Sequence, residues 1–127
     1  MSPAEDALLL LRVVQRHLGS LRGTVNNPDF ADEDWGFLAQ QCVEKLLKAL
    51  LVLQDMEPPR IHALDQLLRM TREARIRVNV PVDLLKLEDF AVLARYEADP
   101  TPLPASREVL QVLLDQLHQD VSARVGI

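Results

Sequence analysis

Apolar residues recur every three or four positions along most of this 127-residue chain, which is the spacing of an amphipathic α-helix. The first helix is predicted to begin at Ser2, because Ser2-Pro3-Ala4-Glu5 combines a serine N-cap, a proline at the first helical position and the glutamate of a capping box. Gly19 and Gly23 indicate where this helix ends. Its predicted apolar face comprises Leu8, Leu11, Val14 and Leu18.

The longest uninterrupted pattern starts near Asp32 and runs to about Gln54, and we expect one long second helix there. Acidic residues at its start favour this boundary, because they complement the positive end of the helix dipole. Pro58-Pro59 separates it from a shorter third helix, which is predicted over residues 60–74.

Prolines divide the last part of the chain. Residues 76–80 alternate as a strand would, but an isolated strand has no partner, so we interpret them as an extended linker. Pro81 fits the first position of a fourth helix, predicted from Val82 to about Tyr96. After a Pro-rich turn, a fifth helix is predicted from Ala105 or Ser106 to Arg124. Its predicted apolar face comprises Val109, Leu113, Leu117 and Val121.

Short connections between long amphipathic helices predict an all-α fold in which neighbouring helices pack antiparallel. The composition agrees, because leucine dominates and aromatic residues make up only 4%, whereas sheets favour β-branched and aromatic residues. A chain of this length buries enough surface to form a core without disulfides or metals. We therefore predict one domain, residues 1–127, folded as an up-and-down bundle of four to five helices.

Charge and cysteine content exclude several classes of protein. The net charge of −5 argues against a protein that coats nucleic acid through bulk electrostatics, and the single cysteine, Cys42, provides neither a disulfide framework nor a metal cluster. Acidic residues precede the first apolar run, where a signal peptide would carry positive charge, and no apolar stretch reaches the ~18 residues of a membrane span. We expect a soluble, cytoplasmic protein with no cofactor and no contact with a membrane.

One side of the second helix carries a polar stripe. On a helical wheel of ~100° per residue, the stripe falls opposite the apolar side that contains Trp35 and Leu46. It allows two interpretations: a solvated face supported by pairs such as Glu44–Lys48, or a binding surface in which the Phe37 ring lies beside amide, carboxylate and ammonium groups. The stripe comprises Phe37, Gln41, Glu44, Lys45 and Lys48.

The sequence of this helix and of the turn after it, WGFLAQQCVEKLLKALLVLQDMEPPRIHALDQLL, resembles the signature of the HEPN domain family. The signature has a long helix that reads approximately aromatic-h-x-A-Q-Q-x-x-E-K-x-L-K-A-L-L, then a short turn and a helix that starts with histidine. The later Arg95-Tyr96, ahead of the Pro-rich turn, is similar to the family's Arg-Tyr-Pro region. The matching residues are Phe37, Ala39, Gln40, Gln41, Glu44, Lys45, Lys48, Ala49, Pro58, His62, Leu64, Leu67 and Leu68.

The resemblance implies a helical bundle of four or five helices that pairs into a homodimer. Members often act beside a separately encoded minimal nucleotidyltransferase in toxin–antitoxin-like modules. Many are toxins or ribonucleases, and others bind nucleotides or substrates. The resemblance therefore implies ligand- or partner-binding roles for Phe37, Gln41, Glu44, Lys45, Lys48, His62, Arg95 and Tyr96.

Nuclease members carry an arginine followed after four to six residues by a histidine, late in the domain. That pair supplies a proton acceptor for the 2′-hydroxyl and a positive charge near the phosphate. Here no arginine precedes His62 or His118 at this interval, and the one match, Arg12 with His17, lies in the first helix. We therefore predict a non-catalytic partner of a nucleotidyltransferase that binds a nucleotide or RNA, with a ribonuclease toxin of atypical active site as the alternative.

Two further features have more than one interpretation. His62 is either a structural side chain bonded across its turn, with Asp65 in reach, or a ligand contact. A basic cluster at the end of the third helix either complements the helix dipole or binds a phosphate or an acidic partner surface. That cluster comprises Arg69, Arg72, Arg75 and Arg77.

Overall fold

The computed structural model describes residues 2–57, 60–91 and 101–126, and these residues form helices, turns and irregular segments without a β-strand. This confirms the predicted all-α class and the helical bundle. The helices are α1 (Pro3–Gly23), α2 (Asp32–Leu53), α3 (Leu64–Glu73), α4 (Val82–Leu85), a 3-10 helix (Lys86–Phe90) and α5 (Arg107–Val125). None of these helices is both long enough and apolar enough to cross a membrane.

Two serine caps are present, the predicted one at Ser2 and a second one at Ser106. Ser2 Oγ accepts a hydrogen bond from the Glu5 amide at 3.2 Å, and Ser106 Oγ accepts one from the Val109 amide at 3.2 Å. Each cap satisfies an amide that has no partner inside the helix, so both helices begin where the sequence predicts.

Helix α2 lies at the centre of the bundle, because thirteen of its 22 residues are buried. Helix α1 runs antiparallel to it, because Pro3 at the start of α1 lines the same hollow as Val52, near the end of α2. Helix α5 runs parallel to α2, since Arg107 at its start contacts Asp32 and Arg124 at its end lies with Leu53. The three long helices therefore share one core.

Arg107 holds the junction between α1, α2 and α5. Its side chain is 12% exposed, and its guanidinium donates to Asp32 Oδ1 at 2.7 Å and lies 6.0 Å from the centre of the Trp35 ring. Trp35 itself is buried and donates from Nε1 to the Leu21 carbonyl at 3.1 Å. The same guanidinium also donates to three backbone carbonyls in the connection between α1 and α2, those of Thr24, Asn27 and Phe30.

The third helix is shorter than predicted. It begins at Leu64 and not at residue 60, because the backbone carbonyl of His62 accepts a hydrogen bond from Gln40 Nε2 on α2 at 3.4 Å. His62 therefore precedes the helix and does not lie in its first turn. The prediction used the local pattern alone, and a contact with α2 changes where α3 starts.

The fourth helix also differs from the prediction of one helix from Val82 to Tyr96. The α-helical part ends at Leu85, and a 3-10 helix continues to Phe90; residues 92–100 lie outside the described part of the chain. In a 3-10 helix, residues three apart align, so Leu87 and Phe90 both point into the core, where both are buried. Phe90 packs directly on Gly36 of α2.

The buried face of α5 is rotated from the predicted one. Val109 is 47% exposed and Leu113 only partly buried, whereas Leu117 and Val121 are buried as predicted. The correct face starts one residue later, because Leu110 and Leu114 face α1 and α2 while the Arg107 contacts fix the rotation of the helix. The buried residues of this helix are Leu110, Gln111, Leu114, Leu117 and Val121.

Candidate functional site

A continuous chain of side-chain hydrogen bonds runs along α2. Lys45 Nζ donates to Gln41 Oε1 at 2.7 Å, and Gln41 Nε2 donates to Gln40 Oε1 at 2.8 Å. Gln40 Nε2 in turn lies 3.4 Å from Glu44 Oε1. We call these residues, with Lys48 and His62, the α2 polar network.

Glu44 is the centre of the α2 polar network. It is 4% exposed, which makes it a buried charged side chain. Its Oε2 accepts from Lys48 Nζ at 3.4 Å, and its Oε1 lies 2.9 Å from His62 Nδ1. Burial of a carboxylate is tolerated when opposite charges and hydrogen bonds compensate for the lost water, and here Lys48, His62 and Gln40 supply them.

His62 connects the buried network to the surface. Its side chain is 69% exposed although its Nδ1 faces the buried Glu44. A carboxylate only accepts hydrogen bonds, so Nδ1 is the donor in this contact, and Nε2 lies on the opposite side of the ring. Asp65, which the sequence placed in reach of His62, instead accepts a hydrogen bond from the Gln66 amide on Oδ1.

The solvated-face interpretation of the stripe is wrong for Glu44 and Lys48. Glu44 is buried, and the Lys48 side chain is only 12% exposed. The predicted Glu44–Lys48 pair does form. Phe37, Gln41 and Lys45 remain half-buried, so the outer edge of the stripe stays accessible along one narrow line.

Five of the eight predicted site residues therefore meet in one network: Gln41, Glu44, Lys45, Lys48 and His62. Phe37 lies on the same helix, one turn before Gln41. Arg95 and Tyr96 fall outside the described residues. The binding roles of all eight stay predictions.

Gln40 was not predicted as a site residue, although it is fully buried and links Gln41, Glu44 and the backbone of His62. The spacing that could have identified it is Gln40 to Glu44. Residues four apart share a helix face, so this spacing predicts that Gln40 is a partner of Glu44.

His17 on α1 lies within the electrostatic reach of the Lys45 end of the network. Burial lowers the pKa of its imidazole, and the positive charges of Lys45 and Arg16 lower it further. The neutral ring is favoured at this position. His118 on α5 lies elsewhere, in contact with Ser122 Oγ at 3.4 Å, and burial lowers its pKa as well.

Cys42 is the single cysteine of the chain and the remaining candidate for a nucleophile. Cys42 is buried, and burial raises the pKa of its thiol to about 12, so it is not a nucleophile at neutral pH. Within residues 2–57, 60–91 and 101–126, no three His, Cys, Asp or Glu side chains are grouped to hold a metal ion.

Comparison with protein families matches residues 31–119 to the HEPN domain. The match includes α2, the whole α2 polar network and most of α5. No curated protein and no solved structure matches the chain significantly. The matched residues cover well over half of the sequence and confirm the resemblance predicted from the long second helix, and the chain belongs to the HEPN domain family.

Proposed function

We propose that this HEPN chain is a non-catalytic partner of a separately encoded minimal nucleotidyltransferase in a toxin–antitoxin-like module, and that its α2 polar network binds a nucleotide. The observation that supports the proposal best is the network itself. Glu44 is buried in the central helix with Lys48, Gln40 and His62 as partners, and such a network holds polar side chains in fixed positions beside the accessible edge of the stripe.

The accessible edge of the network suits a nucleotide. Lys45 is half-buried and provides an ammonium donor for a phosphate, His62 Nε2 accepts a hydrogen bond, and the half-buried Phe37 provides an apolar surface for a base. Glu44 and Lys48 compensate each other, so they orient the outer groups and do not need to contact the ligand themselves.

Calorimetry with AMP and GMP tests the nucleotide site. We expect binding by the unaltered chain and at least a fivefold weaker affinity in Lys45→Gln, because the variant loses a charge-assisted contact to phosphate. Lys86→Gln removes the same charge from an exposed residue of the 3-10 helix and should bind normally. The nucleotide proposal fails if the unaltered chain gives no heat, or if both variants lose the same affinity.

The partnership predicts a nucleotidyltransferase gene next to the gene of this chain, and co-expression of the two proteins tests it. We expect the two proteins to copurify as one species. Light scattering of the chain alone should give twice 14.3 kDa, because we propose a homodimer formed through the long helices. A gene with no nucleotidyltransferase neighbour, or a mass of 14.3 kDa at every concentration, contradicts these parts of the proposal.

One observation favours an alternative, a ribonuclease with an atypical active site. The Glu44 carboxylate orients the His62 ring as a carboxylate orients a catalytic histidine, with the second nitrogen on a largely exposed side chain. This candidate requires metal-independent cleavage of RNA by the pure protein, abolished in His62→Ala and retained in His118→Asn. RNA that stays intact at high protein concentration eliminates it.

A further inference from the structure

A groove lined by arginines lies between the end of α3 and the end of α5, apart from the α2 polar network. It has a volume of about 840 Å³ and is bounded by the end of α3, by residues 75–79 and by the end of α5. Four arginines line it, and we call it the arginine groove: Arg72, Arg75, Arg77 and Arg124. It shares no lining residue with the α2 polar network.

The charge of the arginine groove is poorly compensated. Asp120 is the one acidic residue among its lining residues, and it pairs with Arg124 at 3.2 Å. The ion pairs of the described residues include none for Arg72, Arg75 or Arg77. A chain with a net charge of −5 thus places at least three uncompensated guanidinium groups around one hollow.

Arg75 is held in the groove at a conformational cost. Helix α3 ends in a Schellman motif, in which the Ile76 amide donates to the Thr71 carbonyl and the Arg75 amide to the Arg72 carbonyl, both at 2.9 Å. Arg75 therefore has a φ of 61°, in the left-handed region where glycine is the favoured residue. From this position the Arg75 side chain is exposed and lines the groove.

Along residues 75–79, exposed side chains alternate with partly buried ones. Arg75, Arg77 and Asn79 are exposed, whereas Ile76 and Val78 are partly buried against the core. Such alternation is typical of extended backbone, in which residues two apart lie on the same side about 6.5 Å from each other. Arg75 and Arg77 are therefore both exposed on this segment, and both line the groove.

We propose that the arginine groove binds a short run of linked phosphates, such as the triphosphate of a nucleotide or a free tripolyphosphate. The planar guanidinium fork matches phosphate oxygens, and several separated guanidiniums match several linked phosphates. The volume falls within the usual range of small-ligand pockets. The net charge of −5 disfavours a long polyanion, whose outer charges would meet the acidic remainder of the surface.

This site goes beyond the nucleotide proposal for the α2 polar network and does not depend on it. AMP and GMP lack linked phosphates and test the network, whereas tripolyphosphate lacks a base and tests the groove. The failure of one proposal is therefore distinguishable from the failure of the other.

Calorimetry with sodium tripolyphosphate and with ATP, at low salt, tests the groove. We expect both to bind the unaltered chain, and the double variant Arg72→Gln/Arg77→Gln to bind tripolyphosphate at least about tenfold more weakly, since each charged contact contributes strongly. The control Arg69→Gln/Lys86→Gln removes two exposed positive charges outside the groove and should stay within about twofold. Equal affinities for ATP and tripolyphosphate would show that the phosphate chain alone is sufficient for binding. Tighter binding of ATP, weakened to the same extent by the double variant, would identify a nucleoside triphosphate as the ligand of the groove.

Two single variants sharpen the test. Arg75→Gly should raise the melting temperature by about 3 °C, because glycine relieves the left-handed strain, and yet weaken tripolyphosphate binding. Asp120→Asn should tighten binding about threefold, because it removes the one carboxylate and frees Arg124. The proposal is overturned if tripolyphosphate does not bind at millimolar concentration, if the double variant and the control lose affinity equally, or if Arg75→Gly gains stability without any loss of binding.

Discussion

Replacement of Arg107 by alanine is expected to lower the free energy of unfolding by about 3 kcal/mol. The guanidinium contacts three backbone carbonyls and the Asp32 carboxylate, and a hydrogen bond that involves a charged group contributes about 1.5–3 kcal/mol. The sum is reduced because Asp32 is 55% exposed and water replaces part of what is lost. Urea denaturation followed by circular dichroism measures the change.

Arg107→Lys separates the geometry of the guanidinium from its charge. Lysine keeps the positive charge, but a single ammonium group on a flexible stem does not reach carbonyls spread from Thr24 to Phe30. We expect it to lose about 2 kcal/mol, most of the alanine effect. Arg22→Gln is the control, because the Arg22 side chain is 60% exposed and its one ion pair within the described residues is with Asp115; it should change stability by less than about 0.5 kcal/mol. If Arg107→Lys has the same midpoint of urea unfolding as the unaltered protein, the role assigned to the planar guanidinium group is contradicted.

Replacement of Gly36 by alanine should also destabilise the protein by about 3 kcal/mol, although glycine to alanine inside a helix normally stabilises by up to about 1 kcal/mol. A Cβ at this position would lie 2.4 Å from Cδ1 and 2.7 Å from Cγ of Phe90. Those atoms belong to a rigid ring that is 1% exposed, so the ring has no room to move without disturbing the core. The midpoint of thermal unfolding should fall.

Gly19→Ala provides the matched control on another helix. A Cβ at Gly19 meets nothing within 4 Å, so the ordinary propensity gain should appear, at about 0.5–1 kcal/mol. Phe90→Leu combined with Gly36→Ala completes the test, since the smaller side chain relieves the collision. The double variant should be more stable than the sum of the two single effects predicts. If Gly36→Ala matches Gly19→Ala, the close packing of the 3-10 helix on α2 is refuted.

The local sequence predicted the helices whose ends have local causes. Helices α1, α2 and α5 begin or end within about two residues of their predicted limits, because Ser2, Ser106 and the acidic start of α2 act within one turn. The start of α3 and the change from α-helix to 3-10 helix after Leu85 depend on contacts with Gln40 and Gly36 of α2. Nothing in residues 60–90 themselves encodes those contacts.

The candidate site shows the same division. The spacing of Gln41, Glu44 and Lys48 correctly predicted a shared side of α2 and the Glu44–Lys48 pair. It did not predict that this side is largely buried, because a helical wheel gives the direction of a side chain but not what packs against it. The sequence could not predict the arginine groove either, because Arg124 comes close to the basic cluster of α3 only through the packing of α5.

The position of Trp35 has a spectroscopic consequence. It is the only tryptophan of the chain, it is fully buried, and it lies beneath the Arg107 guanidinium at the point where α1, α2 and α5 meet. Its indole fluorescence therefore comes from one known environment with a cation close to the ring. The emission spectrum is a single-site reporter of that junction, and a shift of its maximum to longer wavelength would record the opening of the junction to water before the helices themselves are lost.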